Sequence, residues 1–135
     1  MERETKPVND REGLIRVLRD AQQVVICAHV SPDGDTLGSC LAMRLALLAL
    51  GKEAAVICQD KVPGYLSFLP GADTVLRPEE YQVHHPELAL CVDVSDERRL
   101  GSCIRVVESA RDTAQMDHHG TNPFYTRTNV VVADA

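Results

Sequence analysis

The chain has 135 residues, 44% of them hydrophobic and 25% charged, which suits one domain with a single buried core. Its formal net charge of −6 argues against a broad electrostatic surface for long duplexes and favours small anionic substrates held at a local site. Aromatic residues make up only 4% and Trp is absent, which argues against a surface that stacks single-stranded bases on several rings.

Cysteine usage and hydropathy indicate a cytoplasmic protein that does not contact a membrane. The five cysteines are widely separated, with no Cys-x-x-Cys pair, as expected of buried thiols in a reducing compartment. Residues 1–6 are polar, with no signal-peptide apolar region after them. The most apolar stretch, residues 37–50, is too short to span a bilayer and contains Arg44. The cysteines are Cys27, Cys40, Cys58, Cys91 and Cys103.

The first part of the chain predicts two helices with a strand between them. The first helix is amphipathic, and the strand is a short β-branched run typical of a strand covered on both faces. Asp35 or Thr36 is expected to cap the second helix, and Gly51 to end it. Because this second helix is apolar almost all round, we expect it to lie deep in the structure. The helices cover residues 10–21 and 38–50, the strand residues 24–28, and a polar loop residues 29–35.

The remaining sequence predicts further strands separated by short helical segments. Strands that alternate with helices indicate β-α-β units and right-handed crossovers. The sequence therefore predicts an α/β fold with a mostly parallel sheet flanked by helices, as one domain over residues 1–135. The strands are expected at residues 54–58, 88–92, 113–116 and 129–133, a minor strand at 74–76, and helical segments at 63–70, 97–103 and 106–110.

Polar side chains follow three of these strands directly. In parallel sheets, ligands bind outside the carboxyl ends of the strands, so three loops distant in sequence should meet at one edge. The residues expected there are His29, Asp33, Asp35, Asp93, Asp117, His118 and His119, with Asp96 as an outer candidate.

Carboxylates crowded at one edge need a countercharge, because each ionised group raises the cost of ionising the others. Divalent cations supply that charge, and carboxylates mixed with imidazoles suit Mn²⁺, Mg²⁺, Fe²⁺ or Co²⁺. The number of groups suits two ions, which in proteins lie about 3.5–4 Å apart and activate a water for displacement at phosphorus. These residues therefore predict metal-assisted hydrolysis of a phosphate ester.

Gly38 and Ser39 are candidates for binding the substrate phosphate, because backbone N–H groups at a helix start are free to bind anions. Other polar residues have ordinary structural explanations. His84 and His85 precede Pro86 in a polar connection and are expected at the surface. Asp96 is expected to cap the helical segment that follows it.

These three motifs resemble those of the DHH phosphoesterase family. The matching stretches are residues 29–39, Val92-Asp93, and the triplet Asp117-His118-His119 for which the family is named. The form of residues 29–39 is similar to the branch that degrades very short RNA oligonucleotides (nano-RNA) and dephosphorylates 3′-phosphoadenosine 5′-phosphate. Cyclic dinucleotide phosphodiesterases and RecJ-type exonucleases are relatives.

The resemblance implies a Rossmann-like domain with two Mn²⁺ ions, although Mg²⁺ or Co²⁺ would also suit the ligands. By this resemblance, His29 and Asp33 bind one ion, Asp35 and His118 bind the other, and Asp93 bridges the two.

The resemblance also implies roles for the other two residues of the motif. Asp117 orients its neighbours, while His119 approaches the scissile phosphate and stabilises its charge. Family members usually carry a fourth motif and a smaller C-terminal substrate-binding domain. Neither is found in residues 1–135, and Asp134 is too close behind His118 to replace the fourth motif. The chain is therefore expected to be the N-terminal part of the enzyme.

The expected substrates are short single-stranded RNA or DNA oligonucleotides or a small nucleotide, with a homodimer as a possible assembly. Alternatives are hydrolysis of a cyclic dinucleotide or of pyrophosphate. A further hypothesis is that the chain is a nucleotide-binding or regulatory module, which keeps the motifs but does not catalyse a reaction.

Overall fold

The computed structural model describes residues 9–133 and places five strands in one all-parallel sheet. This confirms the predicted α/β class. The strands are β1 Gln23–Cys27, β2 Glu53–Ile57, β3 Leu88–Val92, β4 Asp112–Asp117 and β5 Thr128–Val131, and the helices are α1 Arg11–Asp20, α2 Gly34–Ala49 and α3 Ile104–Ser109. Asp134 lies outside the described residues.

The central strands are apolar throughout because both faces of the sheet are covered. Successive side chains of a strand point to opposite faces. Val24 and Ile26 of β1 therefore belong to the apolar cluster that includes residues of α1 and α2. Val25 and Cys27 belong to the cluster on the other face, together with Leu100 and residues of α3. All five residues of β3 are buried for the same reason.

The order of the strands is β2-β1-β3-β4-β5. The chain moves outward from β1 to β2, then crosses back over β1 to start β3 and continues to β4 and β5. The order reverses between β1 and β3, and at such a point the loops that leave two neighbouring strands form a crevice. The loops after β1 and β3 are therefore brought together at the carboxyl edge of the sheet.

The start of α2 differs from the prediction. The helix begins at Gly34, and its cap is Asp33 rather than Asp35 or Thr36. The Thr36 N–H donates to Asp33 Oδ1 at 3.0 Å, because the extended backbone of Asp33 turns its side chain towards the first helical turn. Asp35 is consequently a residue of the first turn.

The prediction that α2 lies deep is also wrong. One face packs on the sheet and buries Leu37, Leu41 and Leu47. The opposite face is covered by nothing within the described residues, so Leu45 and Leu50 are exposed. An apolar sequence all round this helix therefore does not mean that the helix is covered all round.

Several short segments are less regular than predicted. The minor strand at residues 74–76 is reduced to one bridge between Leu76 and Ile57, because Thr74 ends a 3₁₀ turn. The segment Glu97–Cys103 is a 3₁₀ helix interrupted at Gly101, whose φ of 57° is left-handed. The expected packing of the cysteines is confirmed, since all five are buried and free. Within residues 9–133, no helix is both long and apolar enough to cross a membrane.

Candidate metal centre

Seven ionisable residues from the ends of three strands gather at the carboxyl edge of the sheet. Three of them form a buried floor, and four form a rim whose side chains are 41–60% exposed. The rim side chains are open to solvent, whereas the floor side chains lie beneath them. The floor residues are His29, Asp93 and Asp117, and the rim residues are Asp33, Asp35, His118 and His119.

Asp93 lies at the centre of this arrangement. Its Oδ1 is 2.8 Å from His118 Nε2 and 3.8 Å from His119 Nδ1, whereas its Oδ2 faces His29 Nε2 at 3.9 Å. Asp93 thus belongs to two groups of potential metal ligands, one on each side of its carboxylate. A carboxylate placed in this way has one oxygen available to each of two ions.

The backbone and the surroundings of Asp93 are both unusual. Its φ is 63°, in the left-handed region that Asp and Asn tolerate better than most residues. Its N–H donates to the Met116 carbonyl at 2.9 Å, which holds this conformation. Burial, and then the nearby charge of Asp35, raise the pKa of Asp93, although the hydrogen bond from His118 acts in the opposite direction. A cation beside this carboxylate would favour its ionised form.

The first ligand group contains His29, Asp33 and Asp93. His29 Nε2 is 3.6 Å from Asp33 Oδ1, and His29 Nδ1 is 2.6 Å from the Val30 carbonyl. The tautomer in which Nδ1–H donates to this carbonyl leaves a lone pair on Nε2, which is the form that binds metals. The Arg99 guanidinium lies 3.2 Å behind the same ring, at Nδ1.

The second ligand group contains Asp93, Asp117, His118 and His119. Asp35 is in neither group, but it lies beside the second one through His118. His118 Nε2 is 3.2 Å from Asp35 Oδ2, in addition to its contact with Asp93. The hydrogen bond to Asp93 raises the pKa of His118. Asp33 and Asp35 therefore point to opposite sides of the centre, although only Gly34 separates them.

Asp117 holds His119 in place through a network that the sequence did not indicate. His119 Nδ1–H donates to Asp117 Oδ1 at 2.6 Å, and Asn122 Nδ2 donates to Asp117 Oδ2 at 2.8 Å. Asn122 is paired in turn with the buried Gln115, whose Oε1 lies 2.6 Å from Asn122 Nδ2. The signal in the sequence was a polar residue, Gln115, in the strand that leads to the motif, and the structure buries it completely.

The charges at this edge suit a divalent cation. Four carboxylates lie here, and within residues 9–133 none of them forms an ion pair with a lysine or arginine. Their close partners are imidazoles, which bind metals in the neutral form. Oxygen and imidazole donors without thiolates fit Mn²⁺ or a similar ion. The four carboxylates are Asp33, Asp35, Asp93 and Asp117.

Gly38 and Ser39 lie beyond the first turn of α2, whereas Asp96 forms the cap that is expected of it. Because α2 begins at Gly34, the N–H groups of Gly38 and Ser39 lie in its second turn, where helical geometry pairs them with carbonyls four residues earlier. These N–H groups are therefore not the free ones at the helix start, and phosphate binding at Gly38 and Ser39 stays a prediction. Asp96 accepts from the Arg98 N–H at 2.8 Å as the predicted cap and is not in either ligand group.

The two histidines that were expected at the surface are found there. His84 and His85 are exposed in the connection before β3, away from the carboxyl edge. His85 Nδ1 is 3.0 Å from the Ser109 carbonyl, which is an ordinary surface contact.

Fold and site together define an α/β protein with a candidate centre for divalent cations at the point where its strand order reverses. Residues 23–134 match the model of the DHH family, N-terminal domain. The chain therefore belongs to the DHH family, which confirms the resemblance seen in its motifs.

Two similar proteins extend this finding. The chain is 35% identical over 108 residues to the bifunctional oligoribonuclease and PAP phosphatase NrnA of Thermus thermophilus, covering 80% of this chain and 31% of that protein. Its fold is similar to that of an exopolyphosphatase-related protein from Bacteroides fragilis, with a TM-score of 0.83 and 24% identity, covering 92% of this chain and 38% of that one. The chain thus spans about a third of the length of each.

Proposed function

We propose that this chain provides the metal centre of a phosphoesterase that hydrolyses very short oligonucleotides, 3′-phosphoadenosine 5′-phosphate, or both. The observation that carries the proposal is Asp93, which presents one carboxylate oxygen to each of two ligand groups. Family membership and the similarity to an oligoribonuclease and PAP phosphatase support this choice of substrate.

Five residues would hold two ions in this proposal. His29 and Asp33 would bind the first ion, Asp35 and His118 the second, and Asp93 both. Mn²⁺ is our first choice, with Mg²⁺ or Co²⁺ as alternatives that suit the same donors. Two divalent ions so bound supply charge neutralisation at phosphorus and an activated water.

The residues of the chain itself position an imidazole beside this centre. Asp117 accepts from His119 Nδ1, and Asn122 commits the second oxygen of Asp117, so the imidazole has a fixed orientation. His119 is 3.8 Å from Asp93 Oδ1 and is partly exposed, as required of a group that contacts substrate. We assign to His119 the stabilisation of charge on the scissile phosphate, and to Asp117 its orientation.

Metal binding is tested by calorimetric titration of the metal-free protein with Mn²⁺. We expect two bound ions in the wild type, and the loss of one or both in Asp93→Asn. Asn is preferred to Ala because it tolerates the left-handed backbone at this position. His84→Ala, which removes an exposed imidazole elsewhere, is the matched control and should bind as the wild type does. A folded wild type that binds no Mn²⁺ would refute the proposal.

Catalysis is tested separately in the full-length protein, with a dinucleotide RNA and with 3′-phosphoadenosine 5′-phosphate as substrates. We expect hydrolysis that requires Mn²⁺, stops with chelator, and falls in His119→Asn about 100-fold or more, as for loss of a group that stabilises charge in the transition state. Full metal binding without hydrolysis of either substrate would instead support the nucleotide-binding module.

A further inference from the structure

The loop that follows β2 forms a wall beside the candidate metal centre. The Ser31 N–H donates to Asp60 Oδ2 at 2.7 Å, and Cys58 Sγ lies 3.4 Å from the His29 carbonyl. Further along, the Leu66 side chain lies close to Gly34, at the start of α2. A Cβ added to Gly34 would be 3.7 Å from it, which is van der Waals contact. The loop is thus attached at three places to the segment that carries His29, Asp33 and Asp35.

This wall exposes two aromatic rings to solvent. Gly64–Leu66 is a 3₁₀ turn, and the Leu69 N–H donates to the Leu66 carbonyl just after it. Leu66 and Leu69 contact the core, whereas Tyr65 and Phe68 of the same short segment are exposed.

The exposure of these rings is unusual for this chain. Only five aromatic residues occur in the sequence, three tyrosines and two phenylalanines. Tyr65 is 70% exposed and Phe68 is 76% exposed, while Tyr81, Phe124 and Tyr125 are half-buried. The two aromatic rings that the fold leaves uncovered therefore belong to one short segment, and Leu66 of that segment lies close to Gly34, between Asp33 and Asp35.

We propose that Tyr65 and Phe68 form a stacking site for the nucleobases of a substrate whose phosphate is held at the metal centre. This inference rests on the proposed function and adds the site for the base. Aromatic faces bind bases of any sequence by stacking. Two rings accommodate one or two bases, which agrees both with the low aromatic content and with very short oligonucleotides or an adenine nucleotide as substrate.

Position and chemistry favour a base over another occupant. The remaining large exposed apolar side chains of residues 9–133, on α1 and at the end of α2, are aliphatic and offer no ring face. Tyr65 and Phe68 combine ring faces with attachment to the loop that carries three of the candidate metal ligands. A protein surface could also cover two rings, and the experiments below distinguish this case.

The base site is first tested without phosphate, because adenosine carries no group for the metal centre to hold. We expect adenosine, but not ribose, to shift the NMR signals of residues 63–70. The shifts should disappear in Tyr65→Leu and Phe68→Leu, in which the apolar bulk is kept and the ring is lost. Leu50→Ala, which removes an equally exposed aliphatic side chain on the end of α2, is the control and should respond as the wild type does.

The second test measures the affinity of a dinucleotide RNA in Mn²⁺, with ribose 5-phosphate as the ligand that lacks a base. Each ring substitution should weaken dinucleotide binding by roughly 5-fold to 150-fold, the range of stacking on one ring, and leave ribose 5-phosphate binding unchanged. Leucine variants that keep the dinucleotide affinity, or a wild type that does not prefer the dinucleotide, would overturn the base site. The base site would also be overturned if the leucine variants changed only the self-association of the protein and not its affinity for the dinucleotide. Adenosine shifts without Mn²⁺ binding would instead contradict the proposed function and leave the base site standing.

Discussion

The two edges of the sheet each bury a side chain that can carry charge, but they treat it differently. At the amino edge, Lys52 precedes β2, and at the carboxyl edge, Asp93 follows β3. Burial of a charge is costly unless partners replace the water that it loses. The partners of the two residues therefore show whether the fold itself compensates the buried charge at each edge.

Lys52 finds its partners within the fold. Its Nζ donates to the carbonyls of Arg19 and Ala21 at 2.8 and 2.7 Å, at the end of α1. Carbonyls at a helix end carry partial negative charge and have no partner inside the helix. A cation placed there stabilises the helix end, so the amino edge is complete as it stands.

Asp93 has no such complement. Its neighbours are imidazoles and a further carboxylate, Asp35, and its pKa is raised chiefly by burial. At this edge the fold therefore buries a carboxylate whose close partners are titratable imidazoles and not a permanent cation. The comparison separates a buried charge that stabilises the fold from one that belongs to a candidate metal site.

The largest effect is expected from Lys52→Met. The substitution keeps the apolar stem but removes the donor to the buried contact with the Ala21 carbonyl and to the part-buried contact with the Arg19 carbonyl, so the free energy of unfolding should fall by about 1–3 kcal/mol. Mn²⁺ affinity should not change, because the residue is at the opposite edge. Urea unfolding measures the first quantity and calorimetry the second.

Lys61→Met is the matched control, because Lys61 is exposed. Its effect on unfolding should stay within about 0.5 kcal/mol. Equal losses in the two variants would show that the carbonyl contacts of Lys52 add nothing, and that the amino edge is not specially stabilised.

The strands could be predicted closely from the sequence, for a physical reason. Strands buried on both faces are uninterrupted apolar runs, and residues 88–92 form β3 with the bounds expected. The meeting of Asp93 with Asp117 followed because carboxyl ends of parallel strands share one edge. The order of the strands could not be predicted, since it depends on contacts between residues far apart in the sequence.

Side-chain partners were harder to predict than elements. The cap of α2 was placed at Asp35 or Thr36, because several neighbouring residues can cap and differ by only about 1 kcal/mol. The support of Asp117 by Asn122 and the burial of Lys52 depend on tertiary packing that no local pattern reports. The candidate ligands come from motifs in the sequence, whereas the residues that support them, such as Asn122, do not.

An intermediate effect is expected at Asp33, which is both a candidate ligand and the cap of α2. Asp33→Ala should lower the free energy of unfolding of the metal-free protein by about 1 kcal/mol, whereas Asp33→Asn should not, since Asn caps as well. The hydrogen bond from the Thr36 N–H holds the pKa of Asp33 below its ordinary value. Its stabilisation is present above the ordinary carboxyl range and is lost as pH falls through the lowered pKa.

Thermal unfolding in chelator between about pH 6 and pH 2 measures this dependence for wild type and Asp33→Asn. Wild type should lose more stability than the Asn variant in acid. Parallel curves would show that the cap is not sensitive to ionisation. Both substitutions should weaken Mn²⁺ binding, which separates the two roles of the residue.

The smallest effect is expected from Asp93→Asn in the metal-free protein, and its sign decides the comparison of the two edges. A raised pKa means that stability is fully present below the ordinary carboxyl value and is lost as pH rises through the raised pKa. At neutral pH the uncharged Asn should therefore stabilise the fold, by roughly 0.5 kcal/mol, since the lost contact with the His118 imidazole offsets part of the gain. Urea midpoints in chelator at about pH 4 and pH 7.5 measure the difference, which should shrink in acid. If Asp93→Asn were instead less stable at neutral pH, the protein itself would satisfy this carboxylate, as it satisfies Lys52. The carboxyl edge would then not depend on a cation.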